Sequence, residues 1–190
     1  IVINMKTPNF RKKSKKHIDK SIAIIGHMGS GKSLIGKLIA KEINYRFFDS
    51  DKLIEKNTQK SIENIFQSEG EAEFRKIEEK TIINLQNETN IVLSLGGGAI
   101  LSSQIRKLLK NHFITVFLDT DLEILQQRLK KSYKRPLLKN ENILQKLKKL
   151  DNIRRRYYLL ADIQINNYES PANTVSVFLK EFNQLNEKNN

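Results

Sequence analysis

Eight consecutive residues near the start of the chain, 26–33 (GHMGSGKS), restrict its fold more than any other feature. They match the pattern G-x-x-x-x-G-K-[ST], in which a glycine-rich loop joins a strand to a helix. The apolar run 22–25 precedes them, and apolar residues follow at helical spacing, at Leu34, Ile35, Leu38 and Ile39. This context disfavours a chance glycine-rich turn before a lysine, and it predicts a binding site for a nucleoside triphosphate.

The residue types of this loop fit the chemistry of phosphate binding. Glycines let backbone N–H groups turn towards phosphates, and the positive end of the following helix points at them. We therefore expect Gly29, Ser30 and Gly31 to surround the phosphates of the nucleotide. Lys32 is expected to reach the β- and γ-phosphates, and Ser33 to offer its hydroxyl to Mg²⁺. The loop alone does not identify the phosphoryl acceptor.

The length of 190 residues and the mass of 22.1 kDa fit one domain with a full hydrophobic core. That size favours a compact kinase over a motor or a transporter ATPase. The chain has no cysteine, which excludes disulfides, thiolate catalysis and cysteine-ligated metals. It also has no apolar stretch approaching the ~20 residues of a membrane span, so we expect a cytoplasmic protein without a membrane partner.

The chain is strongly basic, with 34 Lys and Arg against 21 Asp and Glu and a formal charge of +13. Such a charge can indicate a nucleic-acid partner, but much of the excess is lysine at solvent-facing helix positions, and a basic field also attracts anionic substrates. We therefore expect no nucleic-acid partner, and we expect a monomer. The densest basic run, 11–16, lies within residues 1–20, which are predicted to form a flexible tail before a single domain over 21–185.

Apolar strands alternate with helical segments along the rest of the chain. Such alternation predicts an α/β fold of three layers, with a parallel five-stranded sheet flanked by helices. Together with the phosphate loop and the small size of the chain, it favours the P-loop kinase fold. Strands are expected at 22–25, 46–49, 91–94, 113–118 and 163–165. Helices are expected from Lys32, at 51–57, 61–69, 71–87, 102–110, 121–130 and 141–160, and from about Ala172, with a polar segment at 131–140.

Further groups of charged residues and glycines follow the loop along the chain. They are Asp49-Ser50-Asp51 after the second strand, 74–79 (FRKIEE), 95–99 (LGGGA), 134–138 (KRPLL) and 154–158 (RRRYY). In this order and at these spacings, the set resembles the shikimate kinase family, from about Ser21 to Asn167. The combination is far more specific than any one of its parts.

The resemblance implies roles for residues at the acceptor site. Asp51 would accept hydrogen bonds from shikimate hydroxyls and would orient or deprotonate the attacking one. Arg75 and Arg154 would hold the shikimate carboxylate, for which a guanidinium is a suitable partner. Gly97 would let the backbone approach the ring, where a Cβ would intrude.

The resemblance also implies residues around the nucleotide. Arg135 would belong to a lid over about 131–142, and it would close over the phosphates and offset developing charge. Arg128 and the region of Pro171 would flank the adenine.

Two carboxylates compete for the metal ion. The resemblance places Asp49 near Mg²⁺, through water, beside Ser33. Asp119 follows the hydrophobic strand 113–118 and so imitates the metal-binding carboxylate found at a strand end in other P-loop proteins. We favour Asp49, because the resemblance to small kinases places it there.

Purely structural roles remain open for several of these residues. Asp49 and Asp51 could cap the helix at 51–57. Arg75 could serve only as an ion-pair partner on a solvated helix face, among Glu71, Glu73, Glu78 and Glu79. The glycines 96–98 could form a tight turn, although three glycines exceed what a turn requires.

One departure from the family pattern affects the acceptor site. The family usually has a proline between the arginine and the tyrosine, as in Arg-x-Pro-x-Tyr, whereas Arg156 stands there in this chain. Arg155 could therefore be the carboxylate ligand instead of Arg154, if the register slips by one residue.

The resemblance implies a shikimate kinase, which transfers the γ-phosphoryl group of ATP to the 3-hydroxyl of shikimate in aromatic amino-acid biosynthesis. A gluconate-type or nucleoside monophosphate kinase of the same architecture is the first alternative. The glycine run and the paired arginines favour a compact cyclic acid over those acceptors. A non-catalytic nucleotide- or RNA-binding module is the second alternative, but it has no need for Lys32, Ser33, Asp49, Asp51 and Arg135 together.

Overall fold

Five parallel strands form the central layer of the molecule. The computed structural model describes residues 20–130, 142–168 and 170–188. Its strands are β1 (Ser21–Ile25), β2 (Arg46–Asp49), β3 (Ile91–Ser94), β4 (Phe113–Asp119) and β5 (Ile163–Asn166). They lie in the order β2-β3-β1-β4-β5, and every neighbouring pair is parallel. The predicted α/β class and the five-stranded parallel sheet are therefore confirmed.

Helices connect the strands and cover both faces of the sheet. They are α1 (Lys32–Glu42), α2 (Ser50–Thr58), α3 (Ile62–Ser68), α4 (Gly70–Ile83), α5 (Ser103–His112), α6 (Leu122–Lys130), α7 (Ile143–Tyr158) and α8 (Pro171–Lys188). A short 3₁₀ turn over Ala99–Leu101 precedes α5. Side chains cap several helices at their first turn, which satisfies backbone N–H groups that have no partner within the helix. These caps are Asp49, Ser61, Ser102 and Asn142.

Each face of the sheet has its own hydrophobic core. Alternate residues of a strand point to opposite faces, so the buried strand β1 contributes to both. Ile22 and Ile24 pack with α1 and α8 on one face, where Phe178 is fully buried. Ala23 packs with α4, α5 and α7 on the other face, in a core that includes Tyr158. The three layers predicted from the sequence follow from this alternation.

The connections leave β1 and β3 in opposite directions, and this fixes where a ligand can bind. The chain leaves β1 through α1 towards β2, whereas it leaves β3 through α5 towards β4, on the other face. The strands β1 and β3 are neighbours in the sheet. In an open parallel sheet, such a reversal opens a crevice at the carboxyl ends of the two strands. The residues that follow β1 and β3 are therefore placed to form a site.

The helices α2, α3 and α4 form a small unit beside β2. Ile54, Ile65 and Phe74, one from each helix, pack together in a separate buried cluster. This unit carries Asp51 on α2 and Arg75 on α4, and so brings the predicted acceptor residues to the crevice from one side.

The predicted strands and helices are confirmed, with small differences at their ends. The helix predicted over 71–87 ends at Ile83, because the backbone then forms tight i to i+3 hydrogen bonds, such as Leu85 N–H to the carbonyl of Ile82. Leu85 still packs against the core, so the apolar spacing continues beyond the helix. The strand predicted to end at Leu118 includes Asp119, which pairs with Asn166 of β5.

Two predicted segments fall outside the described part of the chain. These are nearly all of the tail 1–20 and nearly all of the lid 131–142, including Arg135. Within the described ranges, no helix has the length and apolar character needed to cross a membrane.

Candidate active site

A cavity of about 260 Å³ lies in the crevice at the carboxyl ends of β1 and β3. The loop after β1, the start of α2 and the loop after β3 line it. The lining residues are Met28, Gly29, Gly31, Lys32, Ser33, Leu34, Asp49, Asp51, Ser94, Leu95, Gly96 and Gly97. The structure therefore brings the predicted phosphate loop, both aspartates and the glycine run around one space.

The phosphate loop ends where α1 begins. Gly31 has φ 89°, a left-handed conformation that glycine adopts without strain, and Lys32 is the first residue of the helix. The Lys32 Nζ donates to the backbone carbonyls of Gly26, at 3.0 Å, and His27, at 2.8 Å. The loop thus curves around the lysine, and the first residues of α1 line the cavity, as in other anion sites at helix ends.

Asp49 caps α2 and also contacts the phosphate loop. Its Oδ1 accepts hydrogen bonds from the backbone N–H groups of Asp51, at 3.1 Å, and Lys52, at 3.3 Å, and so caps α2. Its Oδ2 accepts a hydrogen bond from the Ser33 hydroxyl at 2.5 Å. The Ser33 Oγ also lies 3.5 Å from the Oγ of Ser94. A carboxylate oxygen and two hydroxyl oxygens therefore meet at the mouth of the loop.

This oxygen set fits Mg²⁺. The ion prefers oxygen ligands, and in phosphate sites it takes one or two protein groups while phosphate and water supply the rest. Ser33 and Asp49 match that requirement. Within the described ranges there is no group of three or more His, Cys, Asp and Glu side chains that could hold a metal without such help.

Asp51 faces the glycine run that follows β3. A Cβ built at Gly96 would lie 2.9 Å from the Asp51 Oδ1 and 2.7 Å from the Glu78 Oε1. The Gly96 N–H donates to the Ser50 hydroxyl at 2.8 Å. The glycine therefore permits a contact between backbone and carboxylates that a larger residue would prevent, which a tight turn alone does not require.

Arg75 is an ion-pair partner, and it also reaches the glycine run. It donates to Glu78 at 2.6 Å and to Glu71 at 3.1 Å, and a Cβ built at Gly98 would lie 2.5 Å from its Nη1 and Nη2. Burial alone would lower the pKa of Arg75, but Glu78 and Glu71 raise it above its usual value. Burial raises the pKa of Glu78, which is 2% exposed, while the charge of Arg75 opposes that shift.

Arg154 approaches the glycine run from the other side. It lies on α7 and is 6% exposed, and its Nη1 would be 3.3 Å from a Cβ built at Gly97. Its Nε is buried without a hydrogen-bond partner among the described residues. One turn further along α7, the Tyr158 hydroxyl donates to the Gly97 carbonyl at 2.6 Å. Burial raises the pKa of Tyr158 to about 12, so this hydroxyl keeps its proton at neutral pH.

Arg155 points to a different place. Its Nη1 and Nη2 donate to the two carboxylate oxygens of Asp119, at 3.2 and 2.8 Å, in a bidentate pair. The same arginine lies 3.6 Å from the Asp151 Oδ1. The arginine pair is thereby divided, since Arg154 faces the glycine run while Arg155 holds Asp119. The residue competing with Asp49 for the metal is thus engaged by a cation.

Arg128 and the start of α8 lie next to the phosphate loop. The Arg128 Nη1 donates to the Gly29 carbonyl at 3.5 Å, and its Nη2 to the Asn167 carbonyl at 3.4 Å. Pro171, the first residue of α8, follows this segment. The buried Asn167 side chain donates to the Ser30 carbonyl at 2.5 Å.

Sequence reasoning missed four residues that surround the site. Glu78 was considered only as an ion-pair partner of Arg75, and His27, Asp151 and Asn167 were not considered. His27 lies inside the phosphate motif, at a position where the motif allows any residue. Asp151 and Asn167 contact the phosphate loop from positions more than a hundred residues away along the chain, and no local sequence pattern marks them.

Comparison with known proteins identifies the family. The family model for shikimate kinase matches residues 28–183. The shikimate kinase of Rippkaea orientalis is 44% identical over 162 residues, which cover 84% of this chain and 86% of that protein. The shikimate kinase of Bartonella henselae is 40% identical over 158 residues, covering 83% and 75%.

Solved structures agree with the sequence comparison. The shikimate kinase of Acinetobacter baumannii in complex with shikimate superposes with a TM-score of 0.81 at 36% identity, over 86% of this chain and 93% of that one. A gluconokinase from Sinorhizobium meliloti superposes with a TM-score of 0.66 at 24% identity, over 91% and 97%, and it shares the fold alone. The sheet, the phosphate loop and these relatives lead to one conclusion, that the chain belongs to the shikimate kinase family.

Proposed function

We propose that this protein transfers the γ-phosphoryl group of ATP to the 3-hydroxyl of shikimate. One observation carries the proposal beyond family membership. The phosphate loop, Asp51 and the glycines 96 and 97 line a single cavity in the crevice between β1 and β3, and Arg154 lies against Gly97. A donor nucleotide and a small carboxylated ring can therefore meet there.

The donor side is built to hold charge that develops on the transferring group. Lys32, at the start of α1, is proposed to turn from the Gly26 and His27 carbonyls to the β- and γ-phosphates. Ser33 and Asp49 would hold Mg²⁺, which neutralises phosphate charge when it is bound. The N–H groups at the start of α1 add fixed partial positive charge.

The acceptor side is proposed to hold shikimate by its carboxylate and its hydroxyls. Two cations face the glycine run: Arg75, and the buried Arg154, whose Nε has no hydrogen-bond partner among the residues that the structure describes. A guanidinium gives a carboxylate two parallel hydrogen bonds and so fixes the ring as well as the charge. Gly97 leaves room for the ring against the backbone.

The reaction needs little covalent chemistry from the protein. The acceptor oxygen forms a bond to the γ-phosphorus while the bond from that phosphorus to the bridging oxygen of ADP breaks. We propose that Asp51 orients the attacking hydroxyl and accepts its proton. Positioning and charge stabilisation supply most of the lowering of the barrier. Arg135 and the lid over 131–142, outside the described residues, stay a prediction for the closing step.

The experiment that tests this function is an ADP-release assay with three kinds of acceptor. Shikimate should support turnover, whereas gluconate and nucleoside monophosphates should not exceed the rate without acceptor. Turnover with gluconate or a nucleoside monophosphate in place of shikimate would contradict the proposal, and so would ATP binding without turnover on any acceptor.

We further propose a monomer acting in the cytoplasm, without nucleic-acid or membrane partners, in which 21–185 form one domain. Light scattering after gel filtration tests the monomer. A filter-binding assay with single- and double-stranded RNA tests the nucleic-acid prediction, and binding at physiological salt would contradict it.

A further inference from the structure

Three side chains form a stripe along the face of α7 that meets the two halves of the site. Asp151, Arg154 and Tyr158 are spaced three and four residues apart, so they lie on one side of the helix. Arg154 faces the glycine run at Gly97. Its neighbours on the stripe contact the protein on either side of it, one towards the phosphate loop and the other towards the glycine run.

The contact with the phosphate loop is a hydrogen bond between His27 and Asp151. The His27 Nε2 lies 2.8 Å from the Asp151 Oδ1, and His27 is only 3% exposed. The His27 carbonyl is one of the two that accept from Lys32. The side chain of this residue is thus held by α7 while its backbone contacts the lysine of the loop.

The contact with the glycine run is the hydrogen bond from the Tyr158 hydroxyl to the Gly97 carbonyl. The two contacts also touch each other, because the His27 ring packs edge-on against the Tyr158 ring, with centroids 5.1 Å apart. The loops themselves are close, since a Cβ built at Gly97 would lie 3.3 Å from the Gly26 carbonyl oxygen.

We propose that His27 and Asp151 are positioning residues for phosphoryl transfer, which hold the phosphate loop in register with the acceptor clamp on α7. This inference rests on the function proposed above. Neither residue touches a substrate in this account. Their hydrogen bond fixes the distance between Lys32 on one side and Arg154 on the other, so it sets the alignment of the γ-phosphorus with the acceptor hydroxyl.

The size of the effect follows from the sensitivity of transfer reactions to alignment. A displacement of about 1 Å can cost about a hundredfold in rate. The contacts of Lys32 with the Gly26 and His27 carbonyls remain when the hydrogen bond is lost, so we expect a smaller displacement and a loss of about tenfold in kcat. The KM values for ATP and shikimate should change by less than about threefold, because Lys32, Arg75 and Arg154 are all retained.

The test compares four variants of the full chain with the wild type. Asp151→Leu and His27→Leu each remove the hydrogen bond, and the double variant removes both partners. Asp151→Asn keeps an oxygen that can accept from the His27 Nε2–H. Asn152→Leu is the matched control, because it makes a similar change at the next, exposed position of α7. The readouts are kcat, both KM values and hydrogen exchange of the backbone at 26–31 and 96–98.

We expect both single leucine variants to lose about tenfold in kcat and the double variant to lose no more than the worse single one, as residues that act through one contact do. Asp151→Asn should stay within about twofold of the wild type, like Asn152→Leu. Both loops should exchange faster in Asp151→Leu than in Asp151→Asn.

Several results would overturn the inference. They are wild-type kcat in both leucine variants, an Asp151→Asn variant as slow as Asp151→Leu, or a double variant whose loss is the product of the two single losses. If the wild type does not phosphorylate shikimate, the proposed function fails, and hydrogen exchange still decides the inference, since unchanged exchange in Asp151→Leu contradicts it. If Asp151→Leu does not fold, His27→Leu and Asp151→Asn decide it by the same criteria.

Discussion

The donor half and the acceptor half of the site are built in different ways. The residues expected around the phosphates of ATP come mainly from one stretch, 26–33, held between a buried strand and the helix that follows it. The residues proposed to bind the acceptor come from separate elements, with Asp51 on α2, Arg75 on α4, Gly97 after β3 and Arg154 on α7. The first half is a local structure, whereas the second exists only when the whole sheet has formed.

This difference affects how each half responds to change. The residues of the donor loop are expected to contact the nucleotide themselves, so substitutions of these residues should act directly on it. An assembled site depends on how its parts are placed, so substitutions there should divide between acceptor binding and alignment. The predictions below test that division, beginning with the largest expected effect.

Lys32→Ala should have the largest effect. It removes the cation that the loop directs to the transferring group, and the loss of one such stabilising group costs about a thousandfold in kcat at the upper end of the usual range. Steady-state kinetics with saturating shikimate measure it. A variant that keeps more than about a tenth of the wild-type kcat would contradict a donor role for this loop.

Asp51→Asn should lower kcat by at least about a hundredfold while nucleotide affinity stays within a few-fold, because it removes a proton acceptor and no phosphate contact. Turnover and the Kd for ADP give the two quantities. Retention of more than about a tenth of the wild-type kcat would show that Asp51 has only a structural role at the start of α2. A large loss of ADP affinity would show that the two halves are not separate.

Arg154→Gln should raise the KM for shikimate by about ten- to a hundredfold, the range for losing a hydrogen bond from a charged group, with little change in the KM for ATP. Arg155→Gln is the matched control, because Arg155 holds Asp119 and not the glycine run. Kinetics of both variants decide between the neighbouring arginines. A larger effect on shikimate from Arg155→Gln would reverse the assignment.

Asp49→Asn should raise the Mg²⁺ concentration needed for half-maximal activity by several-fold, since it removes one of the two protein groups that we propose to hold the ion. Asp119→Asn should leave that concentration near the wild-type value, because its carboxylate is engaged by Arg155. A Mg²⁺ titration of both variants measures the difference. If that Mg²⁺ concentration rose in Asp119→Asn and not in Asp49→Asn, the metal site would have to be reassigned to Asp119 at the end of β4.

The smallest expected effect is on stability, and it tests how local the donor loop is. Burial lowers the pKa of His27 below its ordinary 6.5, although Asp151 opposes the shift. The His27 ring therefore binds a proton more tightly in the unfolded chain than in the folded one. The neutral ring contributes fully to the free energy of unfolding above pH 6.5, and this contribution is lost as the pH falls below that value. The denaturant concentration at the midpoint of unfolding should fall from pH 7 to pH 5, and this fall should be larger for the wild type than for His27→Leu. Equal falls would contradict this.

The sequence predicted the fold well because the signals for it are local. Strand β1 is apolar throughout, and the cap at Asp49 and the helix after it follow directly from neighbouring residues. The predicted end of α4 lay four residues too late, because Leu85 continues the apolar spacing beyond the helix into a turn. The short 3₁₀ turn over Ala99–Leu101 has no such spacing and was not predicted.

The site was only partly predictable, for a physical reason. The roles of Asp51 and Arg154 came from a family resemblance, and their placement beside the glycine run depends on the order of the strands. Contacts such as His27 with Asp151 join residues 124 positions apart, and many partners are sterically possible for each. The burial that lowers the pKa of His27 exists only in the folded chain, so neither the composition nor the residue spacing of the sequence predicts it.

The contacts of Asn167 have a consequence for engineering the protein. Its amide nitrogen donates to the Ser30 carbonyl, and its amide oxygen accepts from the Thr174 hydroxyl. This one side chain therefore connects the start of α8 to the phosphate loop. A tag, a fusion partner or new chain ends placed between Asn167 and Thr174 would loosen the loop from outside the active site. The turn at Gln59 and Lys60 is exposed, and its side chains contact Lys56 and Glu69 rather than the phosphate loop, so it is the better position for an insertion.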